Sequence, residues 1–173
     1  MKLGLLSTVI ICAASTATAQ HAHQSSAPSE TGQSQFAALA EIVTLLREDP
    51  LTNWAQVDIK ALCDHLVDMD NVTTRASVNR TVDGLGVTFL ITGPDAVAAS
   101  IRRMVLAHGP MLQRSSGWKV TADGHQNGAT LRVRVTSDQD LHQVLGLGFF
   151  GLMTLGAHHQ QHHLMIATGQ SPH

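Results

Sequence analysis

Apolar residues along this chain first recur at helical spacing, then alternate, and then repeat that cycle. Phe36, Leu39, Ala40, Val43 and Leu46 stand three or four apart, which predicts a helix over 36–48, ended by Pro50. Asn53 is placed to cap a second helix over 54–70, striped by Ile59, Leu62, Cys63, Leu66 and Met69. From 72 to 82 the period drops to two. Val72, Ala76, Val78 and Val82 take one side, and Thr73, Arg75, Ser77, Asn79 and Thr81 the other. Asp83-Gly84 is a hairpin signal, and 86–92 is the return strand presenting Val87, Phe89 and Ile91. A third helix opens after Gly93-Pro94 and carries Val97, Ile101, Met104, Val105 and His108. It is expected to stop at Gly109-Pro110. Strands over 118–123 and 129–136 make a second hairpin, and Ser137 caps a final helix expected to run unbroken from 138 to 167.

This order is helix, helix-hairpin, helix-hairpin, helix. It predicts an α+β fold: a four-stranded, mainly antiparallel sheet built from two helix-hairpin units, helices on one face, and a long C-terminal helix. Thr81-Val82-Asp83-Gly84 returns as Thr121-Ala122-Asp123-Gly124, and His65 and His108 hold comparable places in the preceding helices, which points to an internal repeat. The open sheet face is expected to carry Arg75, Ser77, Asn79, Lys119, Thr121, Arg132 and Arg134 as a solvated polar surface.

The two ends change the picture. Lys2, the apolar run from Leu3 to Ala14 and the small residues Ala17-Thr18-Ala19 read as a secretory signal over 1–19. A Ser/Gln/His-rich leader over 20–35 has no apolar period, a single domain is expected over 36–169, and 170–173 is a tail. The expected location is therefore periplasmic or secreted. After signal removal Cys63 is the only cysteine, so no intramolecular disulfide forms, and burial of its thiol is expected. A net charge of -2 without a Lys/Arg cluster argues against nucleic acid. The apolar stretch 144–157 is shorter than the roughly 20 residues a membrane span needs, so no transmembrane segment is expected after signal removal.

Candidate chemistry concentrates in His158-His159-Gln160-Gln161-His162-His163-Leu164-Met165. Residues four apart share a helix face, so His158 stands over His162 and His159 over His163. Neutral imidazoles at that spacing chelate one ion without moving the backbone. Further donors are expected from His65 with Met69 and from Met104 with His108, each an i, i+4 pair. Thioether and imidazole together form a soft set suited to copper, and imidazole also serves zinc. One His on one helix with an HxxxH pair on another resembles the DinB-like metal-binding helical bundles, from which the two hairpins depart. A signal cut before Gln20 would also leave His21 and His23 near a free amine.

Catalytic signatures are absent. No Glu follows Glu48, so the HxxxH pairs lack a zincin's general base. Gly146-Leu147-Gly148-Phe149-Phe150-Gly151 matches a dinucleotide fingerprint in letters only, inside a helical pattern without the strand-turn-helix setting. The expectation is an exported metal-binding protein for copper storage, delivery or tolerance rather than turnover, with a periplasmic protein as further partner. The alternative is a non-enzymatic interaction module docking a partner or membrane surface through its apolar C-terminal helix, and a metalloenzyme ranks third.

Overall fold

Two hairpins join through their second strands into one antiparallel sheet. β1 (Ser77–Asp83) and β2 (Gly86–Thr92) form the first hairpin, and β3 (Lys119–His125) and β4 (Gly128–Arg134) the second. The strand order is β1-β2-β4-β3. Equivalent positions of the hairpins stand 42 residues apart, Ser77 with Lys119 and Gly86 with Gly128. At that offset Phe89 and Leu131 are counterparts, and they pair with each other across the β2–β4 seam. The seam is thus a pseudo-two-fold axis. The tetrapeptide echo is out of register with it: Asp83-Gly84 enters a turn, whereas Asp123-Gly124 lies inside β3.

The computed structural model describes residues 34–156 and 159–170, and for His159 and Gln160 the backbone alone. The signal segment 1–19, residues 20–33 of the leader with His21 and His23, Ala157, His158 and the tail 171–173 lie outside the described residues. The described residues form five helices, of which α3 and α4 pack on the sheet: α1 (Ser34–Glu48), α2 (Ile59–Arg75), α3 (Asp95–Ser116), α4 (Asp138–Leu152) and α5 (His159–Ala167). No helix among the described residues is long and apolar enough to cross a membrane.

Three boundaries differ from expectation. Asn53 caps only a short 3-10 turn, Trp54–Gln56, while Asp58 accepts the Ala61 N–H and starts α2. α2 then continues through Arg75, so Arg75 belongs to a helix rather than to the sheet face. The Thr73 and Thr74 hydroxyls bond back to the Met69 and Asp70 carbonyls, and Val72 is buried in the core, so tertiary packing overrides the alternating pattern. α3 runs through Gly109-Pro110 to Ser116. Proline removes one N–H there, and Gly109 lets the helix lie against the sheet, since a Cβ would stand 2.9 Å from that of Ala122.

A further difference matters most for the site. The expected long C-terminal helix is two helices. α4 is kinked at Gly148 (φ 58°, ψ -174°) and ends at Leu152, and Gly156 turns the chain with φ 71° before α5. A Cβ at Gly156 would stand 2.6 Å from the Ser115 Cβ, so the turn is also a close approach to the end of α3.

The apolar residues form two cores. The larger joins the sheet (Val87, Phe89, Ile91, Leu131, Val133) to α3 and to Val144, Phe149 and Leu152 of α4. Much of the 144–157 stretch is thereby spent on internal packing. The smaller core holds Ile42 and Leu46 of α1, Leu62 and Leu66 of α2, and Ala167 of α5. Met69 packs against both.

Candidate metal centre

The histidines gather where α2, α3 and α5 meet, beside the junction of the two cores. His65 is half-buried on α2, while His108 on α3 and His162 and His163 on α5 are buried. Their ring centroids lie 4.8 Å apart for His65–His162, 5.6 Å for His65–His163, 6.0 Å for His108–His162 and 6.4 Å for His162–His163. His162 is the hub, within reach of all three others.

Metal geometry sets a standard for these distances. Zinc-like ions hold imidazole nitrogen at about 2.0–2.1 Å, which places ring centroids about 5 Å apart in a tetrahedral set. The two His65 distances bracket that value, and the other two exceed it by about 1 Å. Among the described residues no three His, Cys, Asp or Glu side chains already form a closed ligand group. The rings are assembled from three helices but must draw in to share an ion.

One ring has its donor nitrogen assigned by its neighbour. His108 Nδ1 lies 3.0 Å from the Met104 carbonyl oxygen. A carbonyl only accepts, so the bond requires the proton on Nδ1 and leaves the lone pair on Nε2. Helical i, i+4 spacing supplies this partner without a separate residue.

The expected donors divide as follows. Met104 is buried and lines a hollow of about 460 Å³ with His65, Asp68, Arg103, Leu106, Ala107 and Ile166. Met69 is engaged in packing both cores. Met165 faces a different groove, which it lines with Leu45, Asp49 and Gln161. His158 and the side chain of His159 lie outside the described residues. The two α5 histidines whose side chains are described, His162 and His163, are adjacent and both buried. α5 sits in the crease between α2 and α3, and two positions about 100° apart both point inward. Cys63, expected buried, is only half-buried.

A polar network between α2 and α3 was not anticipated. Asp68, one turn beyond His65, receives Arg103 Nε on Oδ2 and Arg103 Nη2 on Oδ1, both at 2.6 Å. The Ser100 hydroxyl donates to Oδ1 at 2.7 Å and accepts from the Asn71 amide at 3.0 Å. Burial by itself would raise the Asp68 carboxyl, but the bonds from Arg103 and Ser100 and the guanidinium charge outweigh it and hold it below the usual carboxylate value. The sequence signal was an acid one helical turn from His65 and a base directly before Met104.

No protein-family model matches this chain, and neither a curated protein nor a solved structure does.

Proposed function

We propose that this chain is an exported metal-binding protein that stores, delivers or buffers copper through His and Met side chains. The observation that carries the reading is the convergence of His65, His108, His162 and His163 from three helices, with His162 4.8–6.4 Å from each of the other three rings. Each neutral imidazole carries one lone pair, and a shared cation takes lone pairs from several rings at once. The Nδ1-protonated tautomer of His108 is the one a metal on Nε2 requires. Met104 beside His65 adds a thioether, which favours Cu(I) over harder ions. Holding rather than turnover fits Asp68, the acid beside the rings, because Arg103 and Ser100 already engage it. The signal-like segment 1–19 supports export.

Isothermal titration of the metal-free mature chain with Cu(I), Cu(II) and Zn(II) tests this. The wild type should bind at least one ion in the micromolar range or tighter, and a His162→Ala/His163→Ala variant should lose at least tenfold. Affinities no tighter than about millimolar for all three ions would end the reading.

A further inference from the structure

The hollow beside His65 has a charge problem as well as a shape. Imidazole and thioether donors are neutral, so an ion held by His65, His108, His162, His163 and Met104 keeps its full positive charge in a largely buried place. The acids nearest to His65 in sequence already have cationic partners. Asp64 pairs with Lys60 at the surface, and Asp68 is clamped by Arg103 and Ser100. A buried charge is unfavourable, and an anion from solution reduces that cost.

The hollow is built to take one. His65 lies on its wall, so it borders the ring cluster, and Arg103 lies on the same wall. The two bonds to Asp68 use Nε and Nη2 and fix the guanidinium plane. Among the described residues Nη1 has no protein acceptor, which leaves one guanidinium corner for a bound oxygen. Asp68 also lines the hollow, paired with Arg103, and the other walls, Met104, Leu106, Ala107 and Ile166, are apolar, so an anion with a short hydrocarbon body fits better than a bare inorganic one.

We infer that this hollow binds a small aliphatic carboxylate, held by the Arg103 guanidinium and serving as an external co-ligand of an ion on the His cluster. The inference rests on the metal-binding reading and adds Arg103 as the residue that selects the anion.

The test uses the full mature chain loaded with Cu(II), titrated with sodium formate, acetate and butyrate while the copper absorption and EPR signals are followed. Carboxylate binding should shift both signals, saturate, and strengthen about two- to fourfold for each added methylene. Arg103→Leu should weaken butyrate at least tenfold while Cu(II) affinity stays within threefold, and Arg103→Lys should recover part of the loss. If Arg103→Leu unfolds because Asp68 is stranded, Asp68→Asn/Arg103→Leu removes the pair together and carries the same expectation. Copper signals that ignore carboxylate, or an equal response in the Arg103 variants, overturn this inference and leave the metal-binding reading standing. Failure to bind Cu(II) overturns it too, whereas only failure with Cu(I), Cu(II) and Zn(II) alike overturns both.

Discussion

Asp68 is the residue whose chemistry reaches furthest from its own position. Its carboxylate joins α2 to α3 through Arg103 and Ser100, and Asn71 extends the network to Arg75 at 3.1 Å. The Asp68 side chain is mostly buried while that of Arg103 is 61% exposed, so the pair behaves as a half-solvated clamp rather than a buried ion pair. Asp68→Ala leaves the guanidinium without its acceptor and the Ser100 hydroxyl with only the Ala96 carbonyl at 3.2 Å, and it should cost about 1–3 kcal/mol in urea unfolding. The same residue makes an acid prediction. The folded carboxyl titrates below its unfolded value, so its contribution is complete above the ordinary carboxylate range and drains as pH falls through the folded value. In the metal-free chain, the stability gap between wild type and Asp68→Asn should hold constant from neutral pH to about pH 5 and narrow below about pH 4. A gap that stays level down to pH 2 would refute the assignment.

At the level of elements, the glycine breaks decide which histidines meet. Gly156 sits at φ 71°, and its Cα lies where a side chain would strike Ser115. Gly156→Ala should therefore destabilise the chain by about 1–3 kcal/mol, combining left-handed strain with the clash. Because the turn sets where α5 lands, the variant should also weaken metal binding, and titration beside thermal melts checks both. An alanine variant that melts and binds like wild type would show that α5 docks independently of this turn. The same turn explains how far the site was legible in sequence. His65, His108, His162 and His163 were visible as donors because residue type and local spacing advertise them. Which rings meet was not, because the turn at Gly156 sets where α5 lands against α2 and α3, beyond the reach of helical spacing. The strand pattern was legible for β2 and β4, whose Val87, Phe89, Ile91, Leu131 and Val133 alternate into the core. It misled at residues 72–75, where Val72 and Asn71 find partners on α3 that only the fold supplies. Asp68 and Arg103 stayed hidden for the same reason, being 35 residues apart in sequence.

The whole molecule is a larger domain with a smaller cap. Sheet, α3 and α4 share the main core, whereas α1, α5 and the first turns of α2 share a satellite of five buried residues, Ile42, Leu46, Leu62, Leu66 and Ala167. One backbone bond, from the Asp58 N–H to the Ala167 carbonyl at 2.7 Å, ties the end of α5 to the start of α2. A small core with few buried side chains opens at lower free energy than the sheet it rests on. In the metal-free chain, amides of α1 and α5 should therefore exchange faster than those of β2 and β4. An ion on the histidines bridges this division, since His162 and His163 ride on α5 while His65 and His108 belong to α2 and α3. At a free metal concentration 100 times its dissociation constant, binding adds about 2.7 kcal/mol to any opening that breaks the site, or about a hundredfold slower exchange. Hydrogen exchange with and without copper should show α5 amides slowed toward that limit, and chelation should restore the fast rates. Unchanged α5 protection on loading would mean that the ion sits elsewhere, and that the cap is held by its five apolar side chains alone.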